Sequence, residues 1–281
     1  MRRLRFVATA AVALGISMGV VVGVALAGRG ITLKGSDTMV ILGQRWAEDY
    51  MASHPGQVLE VTGGGSGTGI AALINGTTDV CMSSRPMKED EKRKLRDRFQ
   101  SMGVEIPVAK DGLTVYIHES NPIRTLSLEQ LKQIFTGQVD NWKQVGGADA
   151  RIIPYSRENS SGTYVYFKDH VLGGRDYSPR CQTLPGTAAV VNAVARDPNG
   201  IGYGGAAYAK GVREVAVASR GGEPGVLPSP ETVRNGSYPI TRYLYFYARQ
   251  RPAGRTKAFV DWVLSDTGQS IVTRVGYFPL R

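Results

Sequence analysis

Three times in this chain an extended run passes through a turn of glycine and hydroxyl residues straight into a helix-forming run. Ile31-Thr32-Leu33 leads through Gly35-Ser36-Asp37-Thr38-Met39 to a segment whose Ile41, Leu42, Trp46 and Tyr50 share one helical face. Val58-Leu59-Glu60-Val61 leads through Gly63-Gly64-Gly65-Ser66-Gly67-Thr68-Gly69 to Ile70–Ile74, which stops at Asn75-Gly76. Ile152-Ile153-Pro154-Tyr155 leads through Arg157-Glu158-Asn159-Ser160-Ser161-Gly162-Thr163 to Tyr164–Leu172. Strands that alternate with helices in this way predict α/β units and parallel sheets.

The same junctions carry chemistry. The first N–H groups of a helix have no partner inside it and bear partial positive charge, so such an end accepts an anion. Thr38 Oγ and the Met39 N–H at the first junction, Ser66 at the second, and Ser161, Gly162 and Thr163 at the third are the candidate donors. Arg157 adds a fork that holds a tetrahedral oxyanion with two parallel bonds. Taken singly, Ser or Thr before a helix is more often an N-cap, and Ser36 or Asp37 is expected to cap the first helix. Three such junctions in one chain point to an anion site. The glycine-rich turn is not a P-loop, because the closing Lys-Ser/Thr pair is absent, and Thr68 breaks the Gly-x-Ser-x-Gly pattern of a nucleophile elbow. Arg85 follows the strand Asp79–Met82, and the carboxyl end of a strand is where an open α/β sheet places ligand contacts. The plainer reading ties Arg85 to Glu89 or Asp90.

With 281 residues and 42% hydrophobic content the chain is expected to form two globular lobes. Arg2, Arg3 and Arg5 precede the uncharged run Phe6–Ala27, and Ala25-Leu26-Ala27 offers a cleavage site for an export signal. Twenty-two residues also suffice for an uncleaved membrane anchor, so residues 1–27 are a signal peptide or an anchor. Either places the working part in the periplasm or another extracytoplasmic space. Removing those three arginines leaves 31 basic against 24 acidic residues, a charge of +7 that helps steer anions. Cys81 and Cys181, 100 residues apart, are expected as separate thiols, although an oxidising compartment permits a bridge. His54, His118 and His170 lack metal-ligand spacing, and neither metal nor cofactor is expected.

The charge-dense run Lys88–Phe99 reads as a solvated helix. Ile106–Ala109 and Leu113–Ile117 read as extended segments around Lys110-Asp111-Gly112. A helix starts near Leu126 and ends at Gly137, another spans Gly186–Val194, and Gly200–Tyr203 is a short strand. Residues 221–230 form a loop, Tyr238–Tyr247 is a long strand crossing back between lobes, and Lys257–Leu264 is the last helix.

At this point the residues resemble a family. Thr38-Met39, Gly65-Ser66-Gly67, Ser83-Ser84-Arg85 and Arg157-Glu158-Asn159-Ser160-Ser161-Gly162-Thr163 look like the ligand loops of phosphate-binding proteins that serve ATP-binding-cassette transporters. Ile134-Phe135-Thr136-Gly137 with Asn141-Trp142, Tyr238-Pro239-Ile240-Thr241-Arg242 and Gly268-Gln269-Ser270 match as well, so the similarity covers about residues 31–281 in order. The resemblance implies the α/β, two-lobed type II fold of periplasmic binding proteins, each lobe a mostly parallel sheet flanked by helices. It implies lobe 1 from 31–110 plus 245–281, lobe 2 from 111–244, and two crossing strands as hinge. It implies inorganic phosphate in the cleft, donated to by Thr38, the Met39 backbone, Ser66, Arg157, Ser161, Gly162 and Thr163. Asn159 stands where better-known members support the arginine with Asp. A second family Asp, the acceptor of the phosphate proton, falls at Ser84 or Arg85. A fixed carboxylate there rejects sulfate by unpaired charge, and in this chain Asp37 or the Asn159 carbonyl could accept instead.

The expected mechanism is capture without chemistry: lobes close on the anion, and the closed form, by the resemblance, meets the membrane permease of an ABC phosphate transporter. The protein is expected to act as a monomer and not as an enzyme. The alternatives are a binding protein for another tetrahedral oxyanion such as sulfate, or an exported phosphatase. A phosphatase needs a nucleophile with a base or metal cluster beside it, and neither accompanies Ser66 or Ser161. Dispersed basic residues at 21% charged content argue against nucleic-acid binding.

Overall fold

The computed structural model describes residues 30–281; the expected signal or anchor at 1–27 lies outside the described residues. β1 (Ile31–Gly35), a 3-10 turn (Asp37–Met39), α1 (Val40–Ser53), β2 (Leu59–Thr62), α2 (Ser66–Asn75), β3 (Val80–Ser83) and α3 (Glu89–Phe99) open the chain. The long β4 (Val104–Ile117) leads to β5 (Thr125–Ser127), α4 (Leu128–Thr136), a 3-10 turn (Trp142–Val145), β6 (Ile153–Arg157) and α5 (Gly162–His170). β7 (Gln182–Leu184), α6 (Thr187–Arg196), β8 (Gly200–Gly205), a 3-10 turn (Ala206–Tyr208) and β9 (Arg213–Ala218) follow. The chain closes with α7 (Pro230–Arg234), β10 (Thr241–Ala248), α8 (Gly254–Leu264) and α9 (Asp266–Val275).

Local sequence accounts for most boundaries. Ser127 accepts from the Gln130 N–H while Gln130 reaches back to the Ser127 N–H, so α4 starts on a capping box. It ends at Gly137, whose φ of 82° suits glycine. In α3 only Leu95 is buried, with Glu89, Asp90 and Glu91 in the first turn and Arg96 and Arg98 in the last, so it is the solvated helix its charges announce. β5, β7, β9, α7 and α9 are elements the sequence reading missed. The first three are short strands or edge pairings, and only Ser265 separates α8 from α9, capping α9 by accepting from the Gly268 N–H.

The sheet runs β2-β1-β3-β10-β4-β8-β6-β7, with β9 pairing β4 and β5. The pairs β1–β2, β1–β3, β5–β9, β6–β7 and β6–β8 are parallel. Every antiparallel pair involves β4 or β10. The two extended segments expected around Lys110-Asp111-Gly112 are one strand. Val104–Gly112 pairs with β10, and Leu113–Ile117 then pairs with β8. The polar triplet makes no turn because each residue has a partner: Lys110 exchanges backbone bonds with Phe278, Asp111 opposes Arg242, and Gly112 opposes Thr241.

Two apolar clusters divide the core at this point. Leu33, Trp46, Met82, Val108, Leu244, Phe246, Phe259 and Ile271 belong to the first. Leu113, Val115, Leu131, Phe135, Phe167, Ile201, Val217 and Ile240 belong to the second. β4 and the chain entering β10 both change cluster at the level of the Asp111–Arg242 register pair. These two strands therefore carry a buried ion pair at the waist, where neither apolar cluster continues.

Candidate functional site

The polar turns of both halves converge on that waist. From the first half come Ser36–Met39, Gly63–Ser66 and Ser83–Arg85; from the second comes Arg157–Thr163. Direct bonds join them: the Gly67 N–H donates to the Ser160 carbonyl at 2.8 Å, and the Thr38 and Thr163 hydroxyl oxygens lie 2.8 Å apart. Glycine is required where they meet. A Cβ on Gly162 would lie 2.3 Å from Ser66 Oγ and 2.7 Å from Ser84 Oγ, and one on Gly65 would lie 2.6 Å from the Ser160 carbonyl oxygen.

Three hydroxyls of the first half form a buried chain. Ser36 Oγ donates to Ser84 Oγ at 2.9 Å, Ser84 Oγ lies 3.3 Å from Ser66 Oγ, and the Ser84 N–H donates to Ser66 Oγ at 3.0 Å. Ser36 is thus turned to Ser84 and does not cap the first helix, and the Asp37 carboxylate is also used elsewhere. The Met39 N–H, expected to be free for a ligand, donates to the Ser36 carbonyl at 2.9 Å, because the helix opens with a 3-10 turn that bonds three residues back. Its side chain is in the first core cluster. Across the waist, Ser161 caps α5 by accepting from the Tyr164 N–H at 3.3 Å, and its hydroxyl proton is left for another acceptor. By position in the first turn of α5, the Gly162 and Thr163 N–H groups have no intrahelical partner.

Arg157, 1% exposed, is the last residue of β6. Its Nε and Nη2 donate to Glu158 Oε2 (3.1 Å) and Oε1 (2.9 Å), Nη2 to Asp37 Oδ2 (2.8 Å), and Nη1 to Thr187 Oγ1 (2.8 Å). Asp37 Oδ1 in turn accepts from the Gly64 N–H at 2.8 Å. Burial pushes the Glu158 carboxyl up, but the bond to and charge of Arg157 carry it below its ordinary value. The arginine's support therefore comes from Glu158 and Asp37; Asn159, placed beside it by the sequence, is exposed.

Arg85 is buried and held two-pronged by Glu91, with Nη1 to Oε2 at 2.8 Å and Nη2 to Oε1 at 2.7 Å, and Nη1 also donates to the Pro86 carbonyl at 2.9 Å. The partner is Glu91 rather than Glu89 or Asp90, since Glu91 also accepts from the Lys88 N–H at the start of α3 and so faces back to the loop. The hydroxyl of Ser84, not the guanidinium of Arg85, joins the converging donors.

Sequence reasoning missed Asp111, Thr187 and Arg242. Arg242 Nε and Nη2 donate to Asp111 Oδ2 at 3.0 and 2.8 Å, and Nη2 donates to Thr163 Oγ1 at 2.9 Å. Burial pushes the Asp111 carboxyl up, opposed by the charge and bonds of Arg242. The available signal was a lone base, Arg242, inside an otherwise apolar extended run, while Asp111 was masked by the polar triplet it belongs to. Both cysteines are free thiols in different clusters; burial pushes Cys181 up to about 12. Among the described residues no His, Cys, Asp or Glu group is arranged to hold a metal ion, and no helix is long and apolar enough to cross a membrane.

Residues 22–267 match the family described as the PBP superfamily domain. The chain is 35% identical over 263 residues to the phosphate-binding protein PstS of Pseudomonas aeruginosa, covering 88% of this chain and 81% of that one. It is 31% identical to the phosphate-binding protein PstS of Bacillus subtilis over 89% of this chain and 80% of that one. A putative phosphate ABC transporter substrate-binding protein of Clostridium perfringens, solved with bound phosphate, superimposes with a TM-score of 0.82 at 29% identity, over 90% of this chain and all of that one.

Proposed function

We propose, from the premise that this chain belongs to the PBP superfamily and within it to the PstS phosphate-binding proteins, that it captures inorganic phosphate at the waist and hands it to an ABC importer. The observation that carries this reading is the meeting of donors from both halves at one place: Thr38, Ser66 and Ser84 from one, Arg157, Ser161, Gly162 and Thr163 from the other. An anion bridging such donors favours the state in which the halves are together, which is what ligand-driven closure requires. The lobes of that motion are 31–110 with 245–281, and 111–244, hinged on β4 and β10. Around the site Arg157 is matched by Asp37 and Glu158, Arg242 by Asp111, and Arg85 by Glu91. Net charge there is not positive, so affinity comes from oriented hydroxyl and N–H dipoles, with one Nη1 N–H of Arg157 left over from its four protein bonds rather than the two-pronged fork expected of it.

The protein acts outside the cytoplasm, as a monomer that meets its membrane permease when closed, and performs no chemistry on the anion. Sulfate is the second reading, because the proton-accepting Asp of better-known members falls at Ser84 or Arg85 here and Arg85 is engaged with Glu91. Calorimetric titration of the purified protein, stripped of bound anion, tests both. Tight one-to-one phosphate binding with weak sulfate binding supports phosphate uptake. Equal binding of the two makes it a general oxyanion receptor, and turnover of a phosphate monoester makes it an enzyme.

A further inference from the structure

The Asp111–Arg242 pair has no role in the reading above, yet it touches the site. Asp111 is fully buried and Arg242 is 5% exposed, and both lie on the hinge strands, directly opposite each other. A buried ion pair is a weak device for stability, since an apolar pair of similar size does as well, and the backbone ladder already joins β4 to β10. Nor is the arginine placed for its own satisfaction. Its Nη1 has no hydrogen-bond partner among the described residues, while Nη2 serves Asp111 Oδ2, Thr163 Oγ1 at 2.9 Å and, more remotely, Thr38 Oγ1 at 3.5 Å. The Tyr166 ring lies 5.4 Å from the guanidinium, and Tyr277 donates its hydroxyl to the Thr38 carbonyl, so both ends of the contact are braced.

The proton count decides what this contact does. An arginine only donates, so Thr163 Oγ1 accepts from Arg242 and one of its lone pairs is occupied. Thr163 and Thr38 share one further bond, in which either can be the donor. Whichever donates, one hydroxyl proton of the pair remains for a third group, and where Thr38 donates both Thr163 lone pairs are occupied and the free proton is that of Thr163. We propose that Arg242 is a positioning residue of the anion site, held by Asp111 so that it fixes the Thr163–Thr38 hydroxyl pair as a donor to the bound oxyanion. The proposal rests on the phosphate reading. It also places the fixing group on a hinge strand, between one hydroxyl from each half, so the pair is assembled only when the halves are together.

The test is a cycle of phosphate titrations on the full chain with thermal melts alongside. Asp111→Leu with Arg242→Met replaces the ion pair by an apolar pair, Thr163→Val removes the hydroxyl, and a triple variant combines them. The double variant is expected to melt near the wild type and to bind phosphate ten-fold or more weakly, with Thr163→Val losing a similar factor. In the triple variant the extra loss over Thr163→Val is expected to be less than three-fold, because Arg242 acts through that hydroxyl. Wild-type affinity in the double variant would make the pair structural and overturn the proposal. Losses that multiply would overturn it too, since Arg242 would then act independently of Thr163. If the double variant does not fold, Arg242→Lys keeps the charge against Asp111 without the fork; a ten-fold weaker Kd with an unchanged melt supports the proposal, and an unchanged Kd overturns it. A wild type that binds neither phosphate nor sulfate overturns the phosphate reading itself, an outcome recognisable before any variant is measured.

Discussion

Arg85 and Arg157 look alike in the chain and do different work. Each sits at or just beyond the carboxyl end of a strand, each is almost fully buried, and each grips a glutamate with two donors. Arg85 finds Glu91 six residues on, within its own half, and with the Pro86 carbonyl it staples the loop between β3 and α3. Arg157 divides its donors among Glu158 beside it, Thr187 on α6, and Asp37 from the other half. Burial and strand-end position are therefore common to a local staple and to a cross-half contact. The origin of the counter-charge separates them: a partner six residues on, in the helix that follows, closes Arg85 off, while partners from both halves make Arg157 a tie between them.

The largest effect expected from this contrast is on binding. Arg157→Ala should weaken phosphate binding by about 4 kcal/mol, as for truncation of one partner in a desolvated charged contact. Arg85→Ala should leave it within roughly three-fold, under about 0.7 kcal/mol. Calorimetry on both decides, and comparable losses would erase the distinction. Stability should show the reverse order. Arg85→Ala strands a largely buried Glu91 and should cost about 3 kcal/mol in denaturant unfolding, whereas Arg85→Met with Glu91→Leu should be close to neutral. Gly162→Ala drives a methyl against Ser66 Oγ and Ser84 Oγ where the halves touch, and overpacking of that size costs about 2 kcal/mol. It should appear as weaker phosphate binding with a smaller change in melting temperature; the opposite partition would mean that the contact is packing within the fold rather than closure.

The smallest effect concerns Glu158, the acid beside Arg157. Glu158 titrates below its ordinary value in the folded protein, so its contribution is present above the unfolded carboxylate pKa and is lost as pH falls through the folded one. Glu158→Gln should destabilise the fold slightly at pH 7, by under about 1 kcal/mol for a partly exposed pair, read from thermal melts. The gap from the wild type should close as the pH is taken down from about 5 to 3. A gap that persists at low pH would assign Glu158 a role other than its charge.

Much of the fold was legible because local rules agree with it. Glycine after strands, Ser127 with Gln130, and the acidic start and basic end of α3 each fix a boundary without reference to the rest of the chain. The donor turns were legible for the same reason, since a helix end displays its N–H groups wherever it stands. The Met39 N–H was misread because whether a helix opens with an α or a 3-10 turn depends on a one-residue difference in bonding that composition does not reveal. Lys110-Asp111-Gly112 was misread as an interruption because a polar triplet is a turn signal unless long-range partners await it. Arg242 and Phe278 lie more than a hundred residues away.

By itself, then, the sequence determined the alternation of strands and helices, the three donor turns and the arginine that joins them, all consequences of short-range bonding and side-chain chemistry. Only the tertiary structure decided which arginine is closed off by Glu91, which acids hold Arg157, and that Asp111 and Arg242 meet at the waist on the two hinge strands. Those outcomes depend on which side chains are brought out of water together. An ion pair between strands distant in sequence is set by register and burial, and neither is written in the spacing of the residues that form it.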